Sequence, residues 1–277
     1  MKIAISGTTG FIGKNLVEYF SNETVCSITR GQDPFSSLNI FQPDLIIHSA
    51  AEIYDSDAMF DSNVLLTKNY LDWLKQNPSA QMIYLGSSSE YGPVSRMSSE
   101  NDKINPIDMY QATKGIGTIL CQGYARTYDL DIKIVRPYSV YGKYEKPHRL
   151  FPRLWKAFML EQPMTLHDGY HDFIYINDFI KGIELIYKSQ SAPKGDIINL
   201  GSGIQYSNFE VLHAFNRITG KTAPVTEVCI KAKTFETDIW CCDNSYALEK
   251  YGFSCEYDLE SGIRDFLKTA HYNREER

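Results

Sequence analysis

Short β-branched runs alternate with longer stretches of helical spacing along the first half of the chain. Lys2–Ser6 (KIAIS) stops at Gly7, and Phe11–Phe20 then repeats apolar positions at Ile12, Leu16 and Tyr19/Phe20, so the opening reads strand, glycine turn, helix. Thr24–Thr29 is a second strand. Asp44–His48 is a buried strand entered from Pro43 and left through the small residues Ser49, Ala50 and Ala51. Asn63–Leu74 has helical spacing and ends before Pro78, and Gln81–Leu85 is a strand running into Gly86. Tyr110–Tyr128 is a long helix, followed by a strand at Asp131–Val135 that Arg136-Pro137 closes. Leu150–Leu160 and Asn177–Lys188 read as helices, and Asp196–Leu200 (DIINL) as a further strand ending at Gly201.

Strictly alternating strands and helices pair in parallel through right-handed crossovers, which predicts an α/β fold: a Rossmann-type doubly wound parallel sheet. Only about fourteen residues separate the second strand from Asp44, too few for both a helix and a strand. The second crossover is therefore expected to be abbreviated and the third strand missing or vestigial. Residues 1–142 form the sheet-bearing lobe, with 172–201 returning to it. Residues 143–171 and 202–277 form a smaller, discontinuous C-terminal lobe.

Composition narrows the partners. Apolar residues make up 43% and charged residues 22% of the 277, an ordinary globular balance, and the net charge of −6 disfavours a nucleic-acid or anionic-membrane binder. No apolar run approaches a membrane span, and Met1–Ser6 is too short for the core of a signal peptide, so a cytoplasmic location is expected. The cysteines at 26, 121, 229, 241, 242 and 255 lack paired metal spacing and are expected to be reduced thiols, with no metal site.

Two patterns carry chemistry. Gly7-Thr8-Thr9-Gly10-Phe11-Ile12-Gly13 follows a strand and opens a helix. In that place Gly7 permits the turn, Gly10 lets backbone amides approach a pyrophosphate, and Gly13 lets the helix pack on the sheet, with Thr9, Phe11 and Ile12 completing the cradle. After the second strand, Thr29-Arg30 stands where an NAD-selecting fold usually carries an acid. A guanidinium suits a 2′-phosphate, which favours NADP(H), with NAD(H) as the alternative. The second pattern is Tyr110 and Lys114, four apart on one helical face. A nearby ammonium lowers a phenol pKa from about 10, letting it exchange a proton with an alcohol or carbonyl while hydride moves. The strand that ends at Gly86-Ser87-Ser88-Ser89 places hydroxyls at the carboxyl edge of the sheet, where such folds bind ligands.

These motifs, in this order, resemble the extended short-chain dehydrogenases of the NAD-dependent epimerase/dehydratase family. The resemblance runs through the glycine loop, IIHSAAE (Ile46–Glu52), Asn63-Val64, LGSSSEYG (Leu85–Gly92), YQATK (Tyr110–Lys114), RPYSVYG (Arg136–Gly142), HDFIYINDFI (His171–Ile180) and INLGSG (Ile198–Gly203). It implies an enzyme acting on a sugar nucleotide through a Ser–Tyr–Lys centre. The family's hydroxyl lies four residues before Tyr91, which selects Ser87; a one-residue deletion would select Ser88. Ala50, Ala51, Asn63 and Pro137 would line the nicotinamide end. Ser88, Ser89, Ser139, Arg149, Leu150, Arg153 and His171 would meet the substrate, and a homodimer is expected.

Three departures matter. Family dehydratases carry an acid where this chain has Ser89, and Glu90 fills that place only if the loop is gapped. His171 stands for a phosphate-clamping arginine, whose role Arg149 or Arg153 would take over. Ser139 replaces a frequent asparagine. The ITR and DFIYINDF segments are similar to reductases that make deoxyhexose nucleotides. A keto-sugar-nucleotide reductase is the leading expectation, ahead of a sugar-nucleotide epimerase and then a 4,6-dehydratase. A dinucleotide-sensing protein without catalysis is the reading from a different class.

Overall fold

Six parallel strands in the order β2-β1-β3-β4-β5-β9 make the central sheet of the computed structural model, which describes residues 1–189, 192–231 and 238–269. In chain order these begin with β1 (Lys2–Ser6), α1 (Phe11–Tyr19), β2 (Thr24–Ile28), α2 (Pro34–Phe41) and β3 (Leu45–His48). A continuous helical stretch follows as α3 (Ser56–Phe60), a π-helical turn (Asp61–Leu65) and α4 (Leu66–Gln76). Then come β4 (Gln81–Leu85), a 3₁₀ turn (Ser88–Tyr91), α5 (Met109–Tyr128), β5 (Ile132–Pro137) and β6 (Ser139–Tyr141). The rest of the chain supplies α6 (Leu150–Met159), β7 (Met164–Asp168), β8 (Tyr170–Tyr175), α7 (Ile176–Lys188), β9 (Asp196–Leu200) and β10 (Gln205–Ser207). It ends with α8 (Asn208–Thr219), β11 (Val225–Lys231), α9 (Ser245–Tyr251) and α10 (Leu259–Thr269).

The crossover from β2 to β3 holds a helix and no strand, so β2 is the sheet edge, as the fourteen-residue spacing predicts. The sequence reading passed over α2 itself. Asp33 starts it by accepting the N–H groups of Phe35 and Ser36, and Pro34 occupies the first turn, where its missing donor is harmless.

Successive side chains of a strand point to opposite faces, and both faces of this sheet are buried. Ile3, Ile5, Ile47 and Ile83 pack on one side with α1 and α7. Ala4, Ile46, Met82, Tyr84 and Ile134 pack on the other with α2, α4 and α5. Each large side chain so buried contributes about 1.5–3 kcal/mol. The first interior continues without a break through Phe151, Ile174, Phe215 and Phe266, so the C-terminal elements share the core of the sheet. Those elements add a three-stranded sheet, β10-β8-β6, and the pair β11-β7. The expected span 202–277 includes 232–237 and 270–277, which lie outside the described residues.

Candidate active site

The strand order reverses between β1 and β3, and the loops leaving those strands open the cleft where open α/β sheets bind ligands. Gly7 takes φ +71°, and a Cβ on it would come within 2.9 Å of Ala50 Cα. A Cβ on Gly13 would come within 2.2 Å of the Gly7 carbonyl oxygen. Both positions therefore exclude side chains for steric reasons, and α1 starts directly against the β3 loop. Helix α1 has no side-chain cap at Gly10 and no acid in its first turn, which leaves its first N–H groups available for an anion. This is the observation by which the chain fits a dinucleotide pyrophosphate.

A buried polar chain fixes the two loops against each other. Ser6 Oγ accepts the N–H groups of Ser49 and Ala50 at 3.1 Å each, so its hydrogen points to His48 Nδ1 at 2.7 Å. Burial lowers His48 to about 3, so the ring is neutral and its Nε2 donates to Thr67 Oγ1, which donates to the Asn63 carbonyl. Asn63 lies in the π-helical turn, and its amide is spent inside the protein. Its Oδ1 accepts the Glu52 N–H at 2.7 Å, and its Nδ2 donates to the Glu52 carbonyl and to Thr113 Oγ1. The expected nicotinamide-lining position is thus a buried clamp between the β3 loop and α5. Ala50, Ala51 and Pro137 are half-buried at strand ends.

Arg30 is 81% exposed and pairs with Glu52 at 2.6 Å. Three backbone N–H groups and this guanidinium bring Glu52 down to about 2. The cation expected to select a 2′-phosphate already faces a carboxylate. Thr29 is occupied locally, its N–H donating to Gln32 Oε1 at 2.7 Å.

The hydroxyl end of β4 is built by a reciprocal cap. Ser87 Oγ accepts the Ser89 N–H at 3.1 Å while Glu90 Oε1 accepts the Ser87 N–H at 2.7 Å. Ser87 Oγ also meets Ser89 Oγ at 2.7 Å, and the Ser87 hydroxyl lies close enough to the Tyr110 phenol to favour its charged form. Ser88 is buried. Tyr110 stands in the first turn of α5, whose N-cap Asp108 accepts the Gln111 N–H. The geometry brings Ser87 and Tyr110 together.

Lys114 lies one turn further on, buried, with Nζ donating to the Leu85 carbonyl and sitting 4.5 Å from the centre of the Tyr84 ring. Burial lowers its ammonium to about 8, against an upward pull from Glu90. The four-residue spacing of Tyr110 and Lys114 predicts that this charge depresses the phenol. The structure corrects that: burial raises Tyr110 above its ordinary value, and the opposing influences are the Ser87 hydroxyl and the charge of Arg149. The Lys114 ammonium is held at the strand end by the Leu85 carbonyl.

Glu90, considered as a displaced acid, is fully buried. Its Oε2 accepts from Arg136 Nε at 2.9 Å and from Thr118 Oγ1 at 2.8 Å, and the Arg136 guanidinium lies 4.4 Å from the Tyr91 ring centre. The sequence reading missed this pair, although the Ser-x-x-Glu spacing of a capping box was present at Ser87 and Glu90. On the facing side, Ser139 and His171 approach to 3.5 Å across the paired strands β6 and β8. Arg153 donates to the Thr165 carbonyl at 2.8 Å. Arg149 occupies the N-cap position of α6 without a side-chain capping bond, its charge bears on Tyr110, and Leu150 packs on the core. Of the two arginines offered as phosphate partners, Arg149 is the one whose charge bears on Tyr110. Among the described residues there is no cluster of side chains fit to hold a metal, and no helix long and apolar enough to cross a membrane.

A glycine-loop sheet with a serine, a tyrosine and a lysine at its carboxyl edge defines a dinucleotide-binding α/β protein of the extended short-chain dehydrogenase type. The chain belongs to the NAD dependent epimerase/dehydratase family, whose profile matches residues 3–201. It is 25% identical over 265 residues to the uncharacterized UDP-glucose epimerase YtcB of Bacillus subtilis, spanning 80% of this chain and 84% of that protein. It is 24% identical over 241 residues to the dTDP-glucose 4,6-dehydratase of Streptomyces griseus, spanning 83% and 73%. The crystal structure of UDP-glucuronic acid 4-epimerase from Bacillus cereus, in complex with UDP-glucuronic acid and NAD, superposes with a TM-score of 0.88 at 24% identity, covering 99% of this chain and all of that one.

Proposed function

We propose that this protein is an NAD-dependent sugar-nucleotide epimerase. The observation that carries the reading is the fate of the carboxylates: Ser87 and Tyr110 meet at the strand end, while Glu90 is sealed in an ion pair with Arg136 and Ser89 stands at the acid position. Elimination of water requires a placed carboxyl group, and inversion through a transient ketone does not. The relatives are epimerases and dehydratases, and the reductase expectation gains no support from them. The NADP(H) preference gives way in the same manner, since Arg30 is engaged by Glu52 and the solved neighbour holds NAD.

NAD supplies hydride acceptance and return when bound. The α1 amides and Gly7–Gly13 hold its pyrophosphate, and Ala50, Ala51 and Pro137 flank its nicotinamide end. Tyr110 takes and returns the proton of the reacting hydroxyl, Ser87 orients that oxygen, and Lys114 holds the ribose. Ser139, Arg149 and His171 receive the nucleotide part of the substrate, and the lobe of residues 143–171 and 202–277 carries it. Purified protein is expected to release NAD, and not NADP, on denaturation, as read by mass spectrometry. With UDP- and dTDP-sugars, proton NMR is expected to show inversion at one carbon without net change in nicotinamide absorbance. A 4-keto-6-deoxy product would establish a dehydratase instead, and stoichiometric NADPH consumption a reductase.

The active form we propose is a homodimer joined along α4 and α5. Phe60 and Leu65 on the α3–α4 stretch and Ile116 and Ile119 on α5 are exposed on packed neighbours, and Gly123, in helical register with Ile116 and Ile119, has open space where a Cβ would be. A two-fold axis through such a patch would bury the same stripe on both copies. Ile119→Asp is expected to shift the dimer to monomer at micromolar concentration in sedimentation velocity. A dimer of unchanged affinity would place the interface elsewhere.

A further inference from the structure

The segment between β6 and α6 contains a carboxylate that the proposed reaction does not use. Glu145 is 6% exposed, and its Oε2 has no hydrogen-bond partner among the described residues. Its Oε1 stands 3.5 Å from Arg149 Nε, a loose contact for an ion pair. Its backbone is fixed independently: the Glu145 N–H donates to the Gly142 carbonyl, and Asn15 of α1 donates to the Lys143 carbonyl at 2.7 Å. Arg149 differs in kind. It is 55% exposed, it stands at the N-cap position of a ten-residue helix whose N-terminus favours anions, and its charge bears on the Tyr110 phenol.

We propose that Glu145 is a positioning residue that competes with the substrate for Arg149: the carboxylate retains the guanidinium at the start of α6, and the anionic part of a sugar nucleotide takes it only as Glu145 accepts a proton. A buried carboxylate that loses its counter-charge is left with only the neutral Gly142 backbone beside it, and protonation is the less costly outcome. The surrounding charges agree with this assignment. On its own segment stand Lys143, Lys146, His148 and Arg149. From α1 come Lys14 and Glu18, the latter paired with Lys143, and from α5 comes Tyr110. Among these only Arg149 bears on Glu145, which burial raises to about 8. At pH 7 the acid is largely neutral and Arg149 is released; above 8 the carboxylate forms and holds it. Substrate binding then draws in a proton, and affinity falls as pH rises.

The inference rests on the sugar-nucleotide reading. The test is calorimetry of the purified protein with UDP-glucose, UDP and dTDP-glucose in two buffers of different ionisation enthalpy, from pH 6.5 to 9.5. Wild type is expected to take up little proton at the acid end and to approach one per site near pH 9. Its Kd should rise by roughly tenfold per pH unit above about 8, the slope of one linked proton. Glu145→Gln keeps the shape and the neutral form, so it should match wild type at pH 6.5 and bind more tightly than wild type at pH 9.5. Lys114 also titrates near 8, but equally in both proteins, so the difference between them isolates Glu145. If Glu145→Gln fails to fold, Arg149→Gln takes its place: with no guanidinium to hand over, proton uptake near pH 9 should fall below that of wild type while the Lys114 contribution stays, and an unchanged proton count overturns the inference. Binding with the same proton count and slope in both proteins overturns the inference and leaves the function reading intact. Failure of all three nucleotides to bind overturns both.

Discussion

Tyr110→Phe is expected to lower turnover by about 10²–10⁴, the usual contribution of a placed acid–base group, while leaving bound NAD in place. The substitution removes one oxygen and keeps the ring, which is half-buried in the first turn of α5 and supports no backbone contact through its hydroxyl. What disappears is the phenol hydroxyl that Ser87 influences at the end of the strand. The phenol is raised by burial, so its neutral, proton-donating form dominates at neutral pH, and returning a proton to a transient ketone suits it. Ser87 and Arg149 oppose that rise and assist the reverse transfer. Ser87→Ala should therefore cost less than Tyr110→Phe and more than Ser88→Ala, because the Ser88 side chain does not meet the phenol. Lys114→Ala should reduce both NAD retention and turnover. Single-turnover absorbance at the nicotinamide band separates these outcomes, and near-normal hydride transfer in Tyr110→Phe would remove the tyrosine from the reaction.

How far the sequence anticipated this site follows the range of the interactions involved. Gly7, Gly10 and Gly13 were legible because local sterics require glycine there, and a strand-turn-helix context identifies the turn. The strands at Ile3–Ile5 and Ile46–Ile47 were legible because burial on both faces leaves an uninterrupted apolar run. Helix α2 was not, because eight residues with polar Ser36, Ser37 and Asn39 give a weak period. The side chains misjudged are those whose partners lie far along the chain. Asn63 seemed able to face the cofactor, yet it is consumed by Glu52 and by Thr113, fifty residues away. Lys114 shares a helical face with Tyr110, but whether its ammonium turns to the phenol or to Leu85 depends on β4, which helical spacing does not report. Glu145 and Arg149 have the spacing of a solvated surface pair, and only the packing of their segment against α1 reveals a buried acid.

Arg136→Met is expected to destabilise the fold by about 3–5 kcal/mol, the cost of leaving a buried charge without its partner. Arg136 and Glu90 are both almost wholly excluded from solvent and pair at 2.9 Å. The Glu90 carboxylate also accepts the Ser87 N–H and the Thr118 hydroxyl, so three elements converge on it: the end of β4, α5 and β5. Removing the guanidinium leaves a carboxylate whose two remaining donors are neutral, and protonation or water entry would both loosen the turn that presents Ser87. Turnover should therefore fall together with stability, although Arg136 is separated from the reacting oxygen by Glu90 and Ser87. A second variant distinguishes charge from volume. Glu90→Gln combined with Arg136→Met removes both charges and is expected to recover at least half of the lost stability, because the large term is the unpaired ion. Equilibrium urea unfolding followed by tryptophan fluorescence measures all three proteins. A loss below about 1 kcal/mol in Arg136→Met, or a double variant no better than the single one, would show that packing of the arginine on Tyr91, and not its pairing with Glu90, holds this end of the sheet.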